Sequence, residues 1–240
     1  MFVVEESALQ AIRDHAAAEA PRECCGVILV RKGRQVYYPC HNVAVQGEGN
    51  FHIKEQDYME AEASGEIVAI VHSHPFTPPV ATEADLVGVE NSELPWVIVN
   101  HPLGTVGVFE PNGYEAPLVG RQFFYGVLDC YSLVRDYYKR ELGIEMTDYA
   151  REPDWWEHGG NMYIDHYKEE GFYPVPLEQI RKHDVILFTH QSKVPNHAAV
   201  FVGEGQILHH LSGRLSSRDT LGGYWEKAIY QVFRHESEPC

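Results

Sequence analysis

The sequence predicts an α+β chain of two domains, and three observations carry that prediction. Strand-like and helix-like segments are mixed without the regular strand–helix–strand rhythm of a parallel sheet. The 240 residues leave room for two domains of ordinary size, and 44% hydrophobic residues are enough to give each a core. Finally, Pro111-Asn112-Gly113-Tyr114-Glu115-Ala116-Pro117 combines turn residues with a lack of hydrophobic period, as a linker does. Domains are therefore expected over residues 1–112 and 118–240.

In the first half, Phe2-Val3-Val4 reads as a short strand and residues 7–19 as a helix, with Ser7 as N-cap and Pro21 beyond its end. Strands are expected over 26–31, 35–39, 66–72, 95–100 and 104–110, and helices over 55–64 and 83–91. Thr82 is the expected N-cap of the latter helix, with Asp85 three residues on, the spacing of a capping box. In the second half, residues 121–126 lead into a helix near 131–142, and an aromatic, polar segment follows over 145–173. Trp155, Trp156 and Tyr163 in that segment read first as core packing and second as the wall of a substrate groove. Three strands are expected to close the chain, over 184–189, 197–203 and 206–211.

Charge narrows the partners. A formal net charge of −16 argues against nucleic acid, whose phosphates call for clustered Lys and Arg, and against anionic membranes. No apolar run approaches the ~20 residues of a membrane span. Residues 1–10 carry Glu5 and Glu6 and no basic region, so they read as folded protein rather than as a signal peptide. Five cysteines, with Cys24 and Cys25 adjacent, make a poor disulfide framework; reduced thiols and a cytoplasmic site of synthesis are expected. Cys25 and Cys40 read as small buried hydrophobes and Cys240 as a mobile terminus.

The segment His72-Ser73-His74-Pro75 holds the first candidate site. Histidines at i and i+2 of a strand share one face. With Asp85 they make two neutral imidazoles and one carboxylate, a three-ligand zinc set that leaves a fourth position open, the catalytic arrangement. Glu23, at the entry to the strand after the first helix, is the candidate base. Glu23, Cys25-Gly26, His72, His74-Pro75, Thr82 and Asp85 keep the order and spacing that resemble the JAB/MPN (JAMM) metalloprotease family, over about residues 1–112. That resemblance implies a mixed sheet with helices, Zn2+ held by His72, His74 and Asp85, Glu23 as general acid/base, and a hydroxyl at Thr82, where most relatives have Ser, helping to stabilise an oxyanion.

The second candidate site centres on Cys130, at a loop-to-helix junction where the helix N-terminus is expected to lower its thiol pKa. A nucleophilic Cys wants a His base and an orienting polar group. His197 opens one late strand and His209 lies on the next. A two-residue turn at Glu204-Gly205 would pair His209 with Val200, on the wrong face. A three-residue loop would pair Val202 with Gln206 and set His209 opposite Ala199, diagonal to His197; this register is preferred. Asp129-Cys130, Leu133-Val134, His197 and His209 resemble the NlpC/P60 peptidases, papain-like cell-wall hydrolases, over about residues 118–240. The resemblance implies Cys130 as nucleophile, His197 as base and His209 as orienting group, with Asp129 and Tyr125 as substrate contacts. Asp129 reads equally as a helix cap, and Tyr131-Ser132 stands where relatives usually have Ser-Gly.

The two halves in one acidic chain together resemble the tail-assembly proteins of lambda-type siphophages. That implies two peptidase sites, one zinc-dependent on a peptide or isopeptide bond and one cysteine-dependent on peptidoglycan stem peptides. Other tail-tip proteins would be partners, in the host cytoplasm during assembly or at the virion tail tip. The alternatives are an assembly factor whose sites are structural, and a cellular isopeptidase acting on ubiquitin-like tails.

Overall fold

A computed structural model describes residues 2–44 and 51–237; Cys240 lies outside them. The chain forms two compact units, Met1–Glu115 and Ala116–Cys240, each with helices and one sheet.

The first unit runs α1 (Glu6–Glu19), β1 (Cys25–Arg31), β2 (Arg34–Cys40), α2 (Glu55–Ser64), β3 (Glu66–Pro75), α3 (Glu83–Ser92), β4 (Trp96–His101) and β5 (Val106–Phe109). Its sheet has the order β2-β1-β3-β4-β5, antiparallel except for the central β3–β4 pair. Helix α1 buries Ala8, Ile12 and Ala16, one residue per turn; Ala8 and Ile12 pack in the core cluster formed with Ile28, Ala69, Val71, Val97 and Val99. Ala61 of α2 packs with Val27, Leu29 and Ile70 in a second cluster. The middle strands are thus covered on both faces, which is why their sequences read as apolar runs rather than alternations.

Two expectations fail at the N-terminus. Residues 2–4 form no strand. The Gln35 side chain ties them down instead: its Nε2 donates to the Val3 carbonyl (2.9 Å) and its Oε1 accepts from the Glu5 N–H (2.8 Å), while Phe2 N–H donates to the Glu110 carboxylate. Phe2 and Val4 still pack on the core, so the apolar signal was packing and not pairing. Ser7 is not the N-cap: the chain enters the helix from Glu5, in extended conformation, and Ser7 lies inside it.

The second unit runs α4 (Cys130–Tyr137), a π turn (Tyr138–Leu142), α5 (Met162–His166), β6 (Phe172–Val175), β7 (Val185–Phe188), β8 (His197–Gly203), β9 (Gln206–His209), β10 (Ser217–Thr220), α6 (Tyr224–Ala228) and β11 (Ile229–His235). The sheet is antiparallel, ordered β10-β9-β8-β7-β11-β6, so the three expected closing strands are half of a six-stranded sheet. Strand β6 contains Pro174, tolerated because β6 is an edge. Leu133, Val134 and Tyr137 of α4 pack in a core cluster with Val185, Leu187, Ala198 and Val200 of the sheet.

The β8–β9 hairpin combines both weighed registers. Glu204 and Gly205 have φ of 51° and 69°, the left-handed pair of a two-residue turn, and Gly203 pairs with Gln206. A bulge at Val202 takes up one residue, so Phe201 pairs with Ile207 and Ala199 with His209. The expected Val202–Gln206 pair is absent, yet His209 stands diagonal to His197 as expected.

Candidate active sites

In the first unit, β3 presents both histidines between its neighbours: His72 pairs with Cys25 on β1 and with Ile98 on β4. The Asp85 carboxylate comes from the first turn of α3. His72 Nε2 and His74 Nε2 lie 3.1 Å apart, and Asp85 oxygens lie 3.3 Å from the first and 3.6 Å from the second. All three residues are buried. His74 Nδ1 donates to the Pro78 carbonyl (3.1 Å), leaving its Nε2 lone pair for the site, and Asn100 fixes the same loop by donating to the Thr77 carbonyl (2.6 Å). The His72 ring stacks on Phe51, centroids 4.4 Å apart, with Trp96 edge-on at 5.6 Å. Two convergent imidazole nitrogens and a carboxylate, buried together, with His74 held from behind by Pro78 and Asp85 by Thr82, fit a metal ion.

Burial pushes His72 down to about 4, against the charge of Asp85, so its imidazole is neutral at neutral pH, as a ligand must be. Burial alone would raise the Asp85 carboxyl, but the neighbouring imidazoles and the hydrogen bonds donated by the Thr82 N–H and hydroxyl outweigh it and hold it at about 2. Burial raises Glu23 to about 8, with His74 opposing and Asp85 assisting. Thr82 forms the expected capping box. Its hydroxyl donates to Asp85 Oδ2 (2.8 Å) and accepts from the Asp85 N–H (3.1 Å), so the hydroxyl proton is engaged in fixing the carboxylate.

In the second unit, Cys130 is the first residue of α4, and Asp129 is its N-cap in a capping box with Ser132. Asp129 is buried and also accepts from Arg151 Nε (2.7 Å) and the Gly126 N–H (3.0 Å). Cap and ion pair together use both its oxygens. The adjacent strands β8, β9 and β10 each contribute one polar residue along a diagonal. His209 faces Ala199, two residues from His197, and also faces Ser217, two residues from Asp219. His197 Nε2 lies 3.0 Å from His209 Nδ1, and His209 Nε2 lies 2.9 Å from Asp219 Oδ2. Burial and the neighbouring His209 drive His197 well below the ordinary imidazole range.

Cys130 departs from expectation. Burial and Asp129 push its thiol above the ordinary value, against hydrogen bonds from the Tyr163 hydroxyl and the Ala198 N–H. Both shifts favour the uncharged forms of the two groups, a thiol and a neutral imidazole. Cys130, His197, Asp129 and Tyr125 line one cavity of about 350 Å³, with Trp155, Trp156 and Tyr163 on its wall. Trp155 and Tyr163 also pack against the core, so both readings of the aromatic segment hold for them. Asp219 was missed in the sequence because β10 is short and polar, with no hydrophobic alternation to announce a strand. The sequence offers Tyr163 as packing or as groove wall; its contact with the nucleophile, Oη 3.3 Å from Cys130 Sγ, is set only by folding.

Comparison with known proteins agrees with both units. Residues 5–109 match the family described as prokaryotic homologs of the JAB domain, and residues 120–234 match the NlpC/P60 family. The chain is 36% identical to tail tip assembly protein K of Escherichia phage N15 over 237 residues, 97% of this chain and 96% of that one. It is 43% identical to tail tip assembly protein K of Escherichia phage lambda over 182 residues, 76% of this chain and 88% of that one.

Proposed function

The chain belongs to the tail tip assembly protein K family, and from that premise we propose that it takes part in phage tail-tip assembly and carries two peptidase sites. NlpC/P60 is a peptidase family, and the second unit is the cysteine endopeptidase, acting on peptidoglycan stem peptides. The observation that carries this reading is the polarity of the Asp219–His209–His197 chain. The Asp219 carboxylate can only accept, so His209 Nε2 carries the proton and its Nδ1 the lone pair. His197 Nε2–H then donates to that lone pair, leaving His197 Nδ1 as the nitrogen that can take a proton. His197 removes the Sγ proton as the Sγ–carbonyl bond forms, then delivers it to the leaving amine. Water, deprotonated by the same nitrogen, releases the acyl group and restores the thiol. A base below the ordinary imidazole range beside a thiol above its own makes proton transfer coincide with attack. Asp129 serves by fixing the start of α4, and Tyr125 lines the substrate cavity.

The first unit is read as a zinc-dependent peptidase or isopeptidase, with His72, His74 and Asp85 holding Zn2+. When bound, the ion supplies Lewis-acid polarisation. Glu23 takes and returns a proton at its carboxylate, and Thr82 serves by fixing Asp85. Partners are other tail-tip proteins and stem peptides, met in the host cytoplasm or at the tail tip. None of the helices among the described residues is long and apolar enough to cross a membrane.

The test is mass spectrometry of purified peptidoglycan incubated with the wild type, Cys130→Ala and His74→Ala. Stem-peptide products from wild type and His74→Ala, lost in Cys130→Ala, are expected. No products from any of the three, with the protein folded, would overturn the wall-peptidase reading and leave the assembly role.

A further inference from the structure

The Cys130 sulfur has a neighbour that neither the triad nor the capping box explains. Tyr163 reaches the site from α5, 33 residues after the cysteine, and its Oη stands 3.3 Å from Sγ. Nothing about the ring is loose. Only 8% of Tyr163 is exposed, and it packs edge-on against Tyr131 and Trp155, with centroids 6.0 and 5.9 Å away. The loop before α5 is equally tight: a Cβ on Gly160 would stand 2.8 Å from the Trp155 carbonyl oxygen. A phenol placed by such packing costs no reorganisation when charge develops beside it.

Resting on the cysteine-peptidase reading, we propose that Tyr163 is a catalytic residue of the second unit, its hydroxyl donating to Cys130 Sγ in the resting enzyme and to the substrate carbonyl oxygen once Sγ has attacked. When the Sγ–C bond forms, the carbonyl π pair moves onto oxygen, and the new oxyanion lies about one bond and one van der Waals contact from where the thiol was. A donor already at the sulfur is within reach of it by a small rotation of the O–H bond. Tyr163 remains a phenol throughout, because burial and the adjacent Cys130 push its own ionisation well above the ordinary value. The Cys130 backbone N–H, at the first position of α4 and so without an intrahelical acceptor, supplies the second donor. When the carbonyl re-forms, the pair returns, the C–N bond breaks, and the amine leaves with the proton from His197.

Tyr163→Phe keeps the ring and removes the donor. With purified peptidoglycan as substrate, kcat is expected to fall roughly 10²-fold or more, the usual loss for one oxyanion donor, with KM little changed. A second readout needs no substrate: the pH profile of Cys130 alkylation by iodoacetamide. Losing a donor to the thiolate moves that profile to higher pH, whereas a residue that only packs leaves it in place. Unchanged kcat in Tyr163→Phe, or an unmoved alkylation profile, would overturn the assignment. If the wild type fails to cleave peptidoglycan, the cysteine-peptidase substrate is wrong, and the alkylation profile alone decides whether Tyr163 acts on the sulfur.

Discussion

Asp219 decides which nitrogen of His197 faces the chemistry, although it touches neither the thiol nor His197. A carboxylate at that position admits one arrangement of protons along the chain, and an amide admits two. Asp219→Asn can donate through its amide to a flipped His209, whose other nitrogen then donates toward His197 and reverses its tautomer. Turnover on peptidoglycan is expected to fall by about 10²-fold or more, by analogy with triads in which the wrong tautomer is trapped. The native pH profile follows from burial. His197 is driven well below its ordinary value of 6.5, so activity persists under mild acid and declines only as pH falls through that lowered pKa. An acid limb at or above 6.5 in a kcat/KM profile would contradict this. Stability carries the same sign: the unfolded imidazole binds a proton near 6.5 and the folded one only at lower pH, so this group costs the second unit stability as pH drops below 6.5.

Helix α3 does two things with its two ends. Its first turn supplies Asp85, and near its last turn Glu90 Oε1 accepts three successive backbone N–H groups, from Asn112 (2.7 Å), Gly113 (3.0 Å) and Tyr114 (3.1 Å). Those three bonds hold the Glu90 carboxyl below its usual range, so they survive mild acid. Glu90→Ala is expected to speed limited proteolysis within residues 112–117 several-fold while leaving metal binding intact; equal cleavage rates would show that the carboxylate does not restrain the segment. The sequence marks this stretch as a linker, and nothing in its turn residues announces the staple, which comes from 22 residues upstream. Legibility follows the same division elsewhere. Strands β1, β3 and β4 are buried on both faces and advertise themselves as apolar runs, and α2 and the capping box of α3 are signalled locally. Most of what escapes is set by distant partners. Residues 2–4 owe their state to Gln35, β10 is a strand only because β9 lies beside it, and the bulge at Val202 compensates a turn chosen by Glu204 and Gly205. The candidate ligands and Cys130, His197 and His209 come from spacing and face; Asp219 and Tyr163 come from the fold.

Each unit has its own core, and every candidate metal ligand, His72, His74 and Asp85, lies in Met1–Glu115. An ion that binds the folded first unit and not its unfolded chain stabilises that unit by mass action, about 2.7 kcal/mol at one hundred times its dissociation constant. For a unit of this size that corresponds to a rise in midpoint on the order of 10 °C. Linkage reaches the second unit only through its own ligands. In scanning calorimetry of the whole chain, adding Zn2+ to chelator-treated protein should therefore raise the unfolding of the first unit and leave that of the second where it was. Cys130→Ala should respond as the wild type does, and His74→Ala should not respond. A shift that survives in His74→Ala would place the ion elsewhere, and a shift shared equally by both transitions would mean that the chain unfolds as one cooperative body. The result bears on function because two units that unfold separately can be inactivated separately, which is what attributing peptidoglycan products to Cys130 in the presence of a disabled His74 site requires.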